Sequence, residues 1–159
     1  MRRDIMTEII IAAPRAAVWD ALIGFSGWRR WNPLVPLLAG EATTGSRLTL
    51  HLHLPGRQPR LLHPEVLRVL PAEELSWISR LWVPGLLDCE HRFLLETPDA
   101  GDQQQTLLIQ RLRLSGIVLP LFWPGLRSSL AAGLHESNRG LRDALSAPGS
   151  AGFRATGIQ

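Results

Sequence analysis

The amino-acid sequence predicts an α+β protein in which a curved antiparallel β-sheet of six to seven strands wraps around a long C-terminal helix, with two short helices after the first strand. Three observations support this prediction. One β-branched segment near the N-terminus precedes helical sequence. Five further strand-like segments between residues 47 and 116 are joined by short links rich in Pro and Gly, as antiparallel neighbours usually are. Apolar residues then recur at helical spacing from about residue 120 to residue 145.

The first strand, TEIIIAA at Thr7–Ala13, is short and β-branched and ends before a proline. The segment Pro14–Phe25 is predicted to be a helix, because Pro suits the first helical position and apolar residues share one face. WRRW at Trp28–Trp31 adds at most one helical turn, since Pro33 disfavours helix at the residue before it. Its two Trp side chains share one side of such a turn. They either plug the helices against the sheet or line the mouth of a cavity.

Alternation of apolar and polar residues orients the side chains of the later strands. In RLTLHLHL the Leu residues take one face, and in DCEHRFLLE the residues Cys89, His91, Phe93 and Leu95 share a face. The strands of the predicted sheet after the first are Arg47–Leu54, Pro64–Leu70, Glu74–Val83, Asp88–Glu96 and Gln105–Gly116.

Two arginines of the last strand have an orientation that matters for the interior. Arg111 and Arg113 alternate with Leu112 and Leu114, so they are expected to face solvent. An inverted register would turn both arginines inward and favour an anionic ligand such as a fatty acid. The outward orientation is preferred, because burying two unpaired arginines is costly.

The long helix is predicted at about Pro120–Leu145, and it is the one predicted element long enough to cover the apolar face of the sheet. A curved sheet closed by one helix tends to leave a cavity between them. Pro124 either starts the main helix or kinks a short lead-in. Gly133 and Gly140 indicate close approach to the sheet or local looseness, because glycine destabilises a helix interior. We therefore expect one domain over residues 1–145 and a flexible tail over residues 146–159.

Composition excludes several classes of protein. Apolar residues make up 45% of the chain, and the single cysteine, Cys89, cannot form an internal disulfide. No apolar run has the length of a signal peptide or a membrane-spanning helix, so we expect a soluble, cytoplasmic protein. The sequence pI of about 10.8 reflects basic residues that are all Arg, in a chain that has no Lys and no Tyr. These arginines are scattered among acids, so nucleic-acid binding is not predicted.

The ordered set of motifs resembles the SRPBCC or START-like helix-grip superfamily, and within it the polyketide cyclase/dehydrase and lipid transport family. The resemblance implies the helix-grip fold, which hosts carriers, sensors and enzymes alike. Relatives often carry Glu and an aromatic residue where this chain has Leu112 and Leu114, and this departure favours an apolar ligand over acid/base catalysis. Relatives also use the last helix as a gate, which implies a soft lid near Gly133 with a hinge at Pro124. The segments that carry the resemblance are IIIAAPRAAVWDAL, WRRWNP, LSW, PGLLDCEHRFLLE, TLLIQRLRLSG and GLHESNRGLRDAL.

Few residues suggest chemistry. His91 is the best polar candidate, either as a hydrogen-bonded core residue or as a ligand contact or general acid/base. His51 and His53 lack the further ligands that a zinc site needs, so no metal is predicted. Cys89 has neither a CxxC partner nor a nearby helix N-terminus to activate it. No phosphate loop, GxSxG or HExxH motif occurs.

The leading hypothesis is a protein that binds a small hydrophobic molecule, such as a lipid, isoprenoid quinone or polyketide-like aromatic, between the sheet and the last helix. The alternative is a cyclase or dehydratase acting on a polyketide-like substrate, with His91 as acid/base and Gln110 orienting a carbonyl. A second alternative is a protein-interaction or chaperone-associated module, which would have a filled cavity and an exposed apolar patch. No cofactor, nucleic-acid partner or integral membrane segment is predicted, and the sequence does not indicate an oligomeric state. The predicted ligand-binding residues are Trp31, Trp77, Leu81, His91, Phe93, Leu108, Gln110, Leu112, Leu126, Leu130, Leu134 and Ser137.

Overall fold

The computed structural model describes residues 1–98 and 101–146, and within them it confirms the predicted fold class. Two antiparallel sheets curve around a C-terminal helix, and two short helices follow the first strand. A 3-10 turn at Phe25–Gly27 joins these short helices. The elements are β1 (Arg2–Ile11), α1 (Arg15–Ile23), α2 (Trp28–Trp31), β2 (Leu37–Ala39), β3 (Thr49–Leu52), β4 (Arg60–Leu62), β5 (Glu65–Leu70), β6 (Glu74–Leu81), β7 (Leu87–Glu96), β8 (Thr106–Ser115) and α3 (Leu119–Ser146).

The described strands form two sheets instead of the single predicted sheet. The larger one has the order β1-β8-β7-β6-β5, and the smaller one has the order β2-β3-β4. An isolated bridge between Arg47 and Glu65 joins them. The segment predicted as one strand therefore divides: residues 46–48 pair toward β5, and Thr49–Leu52 turns away to pair with β2 and β4. Sequence reasoning missed β2 and β4, because three residues are too few to display alternation.

The alternation in β8 separates the interior from solvent. Every second residue from Thr106 to Leu114 is buried, including the polar Gln110. On the outer face Arg111 and Arg113 contact Asp4 of β1, with nitrogen-to-oxygen distances of 3.1 and 3.2 Å. The predicted outward orientation of both arginines is therefore correct, and the inverted register is wrong.

Helix α3 is continuous through Pro124, and two of its three glycines, Gly133 and Gly140, mark close contacts with the segment Trp31–Leu34. A Cβ on Gly133 would lie 2.6 Å from Cδ1 of Leu34, and a Cβ on Gly140 would overlap the carbonyl oxygen of Trp31. Close approach therefore explains both glycines, but the neighbour is α2 and the loop after it instead of the sheet. Ser146, predicted to begin the tail, is the last residue of α3, and residues 147–159 lie outside the described part of the chain.

The tryptophans of WRRW plug the short helices against the sheet. Trp28 is fully buried, its Nε1 donates to the carbonyl oxygen of Leu22 at 3.0 Å, and its ring contacts those of Trp77 and Phe93 at centroid distances of 5.8 Å. Trp31 is also buried and packs on Trp28 at 5.0 Å. This cluster fills one half of the space between sheet and helix. In the described residues no helix combines the length and apolarity needed to cross a membrane.

Candidate functional site

The other half of the space between sheet and helix is a cavity of about 370 Å³. Its floor is the inner face of β6, β7 and β8, and the first half of α3 covers it. The three-stranded sheet and the loop after α2 form the remaining wall. The apolar side chains that line it are Leu34, Val35, Leu50, Leu52, Leu54, Leu62, Trp77, Leu81, Trp82, Leu87, Leu112, Leu114, Phe122, Leu126 and Leu130.

The structure brings half of the predicted site residues to this cavity. The six that line it are Trp77, Leu81, His91, Leu112, Leu126 and Leu130.

The other predicted residues are buried but do not line the cavity. They belong to the half of the interior that the Trp28 cluster and the second half of α3 fill. Alternation in the strands and helical spacing in the helices identified their inward faces correctly, but neither pattern locates a residue along the cavity's length. These six residues are Trp31, Phe93, Leu108, Gln110, Leu134 and Ser137.

Sequence reasoning missed the wall formed by the smaller sheet and the loops. Leu50 and Leu52 line the cavity, and their position could have been predicted, since the alternation in RLTLHLHL places both on one face of the strand. The positions of Arg57 and Arg60 in the β3–β4 hairpin could not have been predicted, because LPGRQPR has no periodicity that could orient a side chain.

His91 is held in the cavity floor as a neutral imidazole. Its Nε2 lies 2.8 Å from Oε1 of Gln110, and its ring stacks on Phe93 at a centroid distance of 4.2 Å. Burial lowers the pKa of His91 from 6.5 to about 4, although the hydrogen bond to Gln110 acts in the opposite direction. His91 is therefore uncharged at neutral pH.

A chain of buried amides fixes the orientation of this imidazole. Gln110 Nε2 donates to Oδ1 of Asn138 at 2.7 Å, and Asn138 Nδ2 donates to Oγ1 of Thr7 at 3.0 Å. With its amide nitrogen committed to Asn138, Gln110 presents its oxygen to His91, so His91 Nε2 carries the proton and donates. Nδ1 of His91 is then an acceptor, and it has no partner in the described part of the chain. Nδ1 is therefore the ring nitrogen of His91 that remains able to accept a hydrogen bond.

Two further polar side chains lie beside His91 on the floor. Ser79 and Cys89 are cross-strand neighbours, and both line the cavity. Burial, and to a smaller extent the charge of Glu90, raises the pKa of the Cys89 thiol to about 12. The thiol is protonated at neutral pH, so it adds a weakly polar contact and not a nucleophile.

The cavity opens to solvent between the β3–β4 hairpin and the start of α3. Trp82 and Phe122 flank this mouth with a ring-centroid distance of 6.3 Å, and Trp82 is 60% exposed. Arg57 extends from the hairpin toward the helix, where its Nη2 lies 2.7 Å from the position of a Cβ on Gly125. The absence of a side chain at Gly125 leaves room for this guanidinium.

A family model for polyketide cyclase/dehydrase and lipid transport proteins matches residues 2–146. The chain belongs to this family. The match spans both sheets and α3, so the predicted membership is confirmed. No curated protein matches the chain significantly.

Solved structures share the fold of this family member. The aromatase/cyclase Zhui from Streptomyces sp. R1128 superimposes with a TM-score of 0.73 at 15% identity, covering 98% of this chain and 96% of that chain. A START superfamily protein from Mycobacterium smegmatis gives a TM-score of 0.69 at 18% identity, covering 87% of this chain and 94% of that chain. At such identities the likeness shows the fold alone.

Proposed function

We propose that this protein binds one small hydrophobic molecule in the cavity between the two sheets and α3. The observation that carries the proposal is a cavity of about 370 Å³ walled mainly by apolar side chains, with His91 as one oriented acceptor in its floor. Its volume lies in the range of about 300–1,000 Å³ that small-molecule sites usually have. An apolar body supplies the affinity, and a hydroxyl that donates to Nδ1 of His91 supplies orientation.

The expected affinity follows from the apolar surface that a ligand would bury. A ligand that buries about 300 Å² of apolar surface gains at most about 7 kcal/mol, at roughly 25 cal/mol per Å². This gain corresponds to dissociation constants of about 10 μM before the costs of ordering the ligand are subtracted. Binding should therefore be measurable at tens of micromolar with a fluorescent apolar probe, a level estimated from the same relation.

A cavity-filling variant tests the proposal. Leu112→Trp places an indole inside the cavity, whereas Leu67→Trp makes the same change at an exposed position of β5 that does not line it. Delipidated wild-type protein and Leu67→Trp should bind the probe, and Leu112→Trp should not, while circular dichroism shows that all three are folded. Native mass spectrometry of the protein as purified adds the identity of any retained ligand. Absence of binding by wild-type protein across lipid, quinone and aromatic probes would overturn the proposal.

One observation keeps an enzyme of the cyclase or dehydratase type as a second candidate. A neutral imidazole with an unengaged Nδ1 can accept a proton from a bound substrate, although a pKa of about 4 makes it a weak base, and Ser79 lies on the same floor. Gln110 does not line the cavity, so in this mechanism it would position His91 and not a substrate carbonyl. Loss of turnover of a polyketide-like substrate in His91→Gln, with binding retained, would favour this candidate. The open cavity gives no support to an interaction module with a filled interior.

A further inference from the structure

The mouth of the cavity carries positive charge that the binding of an uncharged apolar ligand does not require. Arg57 and Arg60 both line the cavity, and both are exposed at its mouth. Neither guanidinium has a hydrogen bond or ion pair to another residue in the part of the chain that the structure describes. Among the described residues that line the cavity there is no Asp or Glu, so the lining contributes positive charge and no carboxylate to balance it.

The fold holds both arginines at this place. Arg60 pairs with Leu52 across the β3–β4 ladder, so the two side chains share the face of the small sheet that lines the cavity. Arg57 is the last residue of a turn, and its backbone N–H closes this turn by donating to the carbonyl oxygen of Leu54 at 3.1 Å. From this turn its guanidinium reaches α3 at Gly125. One guanidinium therefore lies on the sheet side of the mouth, and the other extends to the helix side.

A second cavity of about 450 Å³ adjoins the first, and the residues that line both are Arg60, Leu62, Ser79, Leu81 and Trp82. Its walls include Arg47, Arg80 and His63. Glu65 pairs with Arg80 at 3.3 Å, but Arg47 contacts a backbone carbonyl and has no carboxylate partner in the described residues. The walls of the second cavity are thus also basic, while most side chains that line the first cavity are apolar.

We propose that the ligand is an amphiphilic anion, whose acidic head group, a carboxylate or a phosphate, binds Arg57 and Arg60 while its apolar body fills the cavity. The inference rests on the proposed function, and it specifies the class of ligand. Guanidinium groups donate to carboxylate or phosphate oxygens in paired geometry, which makes an acidic head group the matching partner. If each carbon takes roughly the volume of a water molecule in the liquid, about 30 Å³, the cavity of about 370 Å³ holds a chain of about ten to twelve carbons.

Four probes with one ten-carbon chain test the head group. Decanoate, decyl phosphate, decanol and decyltrimethylammonium are titrated into delipidated full-length protein below their micelle concentrations, and heats of binding are measured. Wild-type protein should bind decanoate or decyl phosphate at least tenfold more tightly than decanol, and the ammonium probe least tightly. The stronger of the two anions shows whether the site prefers a carboxylate or a phosphate.

Variants assign the preference to the two arginines. In the double variant Arg57→Gln/Arg60→Gln, the affinity for the anions should fall at least tenfold, to no more than the affinity for decanol. Arg127→Gln removes one positive charge from an exposed position of α3 that does not line the cavity, and it should keep the preference. Equal affinities of wild-type protein for decanol and both anions, or a preference that survives in the double variant, would overturn this proposal and leave the proposed function intact. Failure of all four probes to bind would also overturn this proposal, whereas the proposed function is overturned only if the lipid, quinone and aromatic probes fail as well.

Discussion

Truncation of two leucines on one face of α3 should give different penalties, because the cavity ends between them. Leu134 is fully buried, and it packs in the filled half of the interior without lining the cavity. Leu130, one turn earlier, lines the cavity and is 6% exposed. Leu134→Ala should therefore lower the free energy of unfolding by about 2–5 kcal/mol, as buried leucines in full contact do. Leu130→Ala should cost about 1–2 kcal/mol, because one side of its side chain already faces empty space.

Urea unfolding with and without a bound probe measures both effects. A ligand that binds only the folded state raises the free energy of unfolding by about 2.7 kcal/mol when its free concentration is one hundred times its dissociation constant. Leu134→Ala should keep this increment, because Leu134 does not line the cavity. Leu130→Ala should change it, because the variant enlarges the site. Equal penalties at both positions, with equal ligand increments, would mean that the cavity does not end between them and would refute the reasoning.

Two further predictions concern the packing of α3 and the protonation of His91. Gly140→Ala should lower the free energy of unfolding by at least about 2 kcal/mol, because the new methyl group would overlap the carbonyl oxygen of Trp31. This penalty should outweigh the better helix propensity of Ala. A higher melting temperature for the variant would contradict the prediction. The pKa of His91 is about 4 in the folded state, against 6.5 in the unfolded chain. Between these two pH values only the unfolded state binds a proton at this residue. The free energy of unfolding should therefore fall as the pH drops from 6.5 to 4, by up to about 3 kcal/mol. Urea unfolding at several pH values in this range should show a smaller fall in the free energy of unfolding for His91→Gln than for wild-type protein. The exposed control His135→Gln should show the same fall as wild-type protein. If His91→Gln also shows the wild-type fall, another group is responsible.

The elements that sequence reasoning found are those whose periodicity is long enough to be seen. Strand β8 alternates over ten residues and α3 runs for 28 residues, and both were predicted to within a few residues. Strands β2 and β4 have three residues each and lie beside prolines, so no local pattern distinguishes them from loops. Their pairing with β3 builds the second sheet, which is why the predicted single sheet was wrong.

The division of the interior into a filled half and a cavity is a tertiary property. His91 and Phe93 are two positions apart on one face of β7, yet His91 lines the cavity and Phe93 packs against Trp28. The difference arises because α2 covers one end of the sheet and leaves the other end to α3 and the hairpin. No feature of DCEHRFLLE records where α2 packs, so alternation alone could not separate these two residues.

The polar groups at the floor and at the mouth of the cavity together constrain how a ligand would lie in it. At the floor, the chain from Thr7 through Asn138 and Gln110 holds the proton of His91 on Nε2, which leaves Nδ1 as an acceptor. At the mouth, Arg57 offers only donors, as every arginine does. An acidic group would therefore meet an unfavourable acceptor at the floor and matching donors at the mouth, whereas a hydroxyl group can donate to Nδ1. A ligand that carries both groups would enter with its hydroxylated end first. An acidic molecule without a hydroxyl should gain affinity at the mouth alone, and His91→Gln should then leave its binding nearly unchanged.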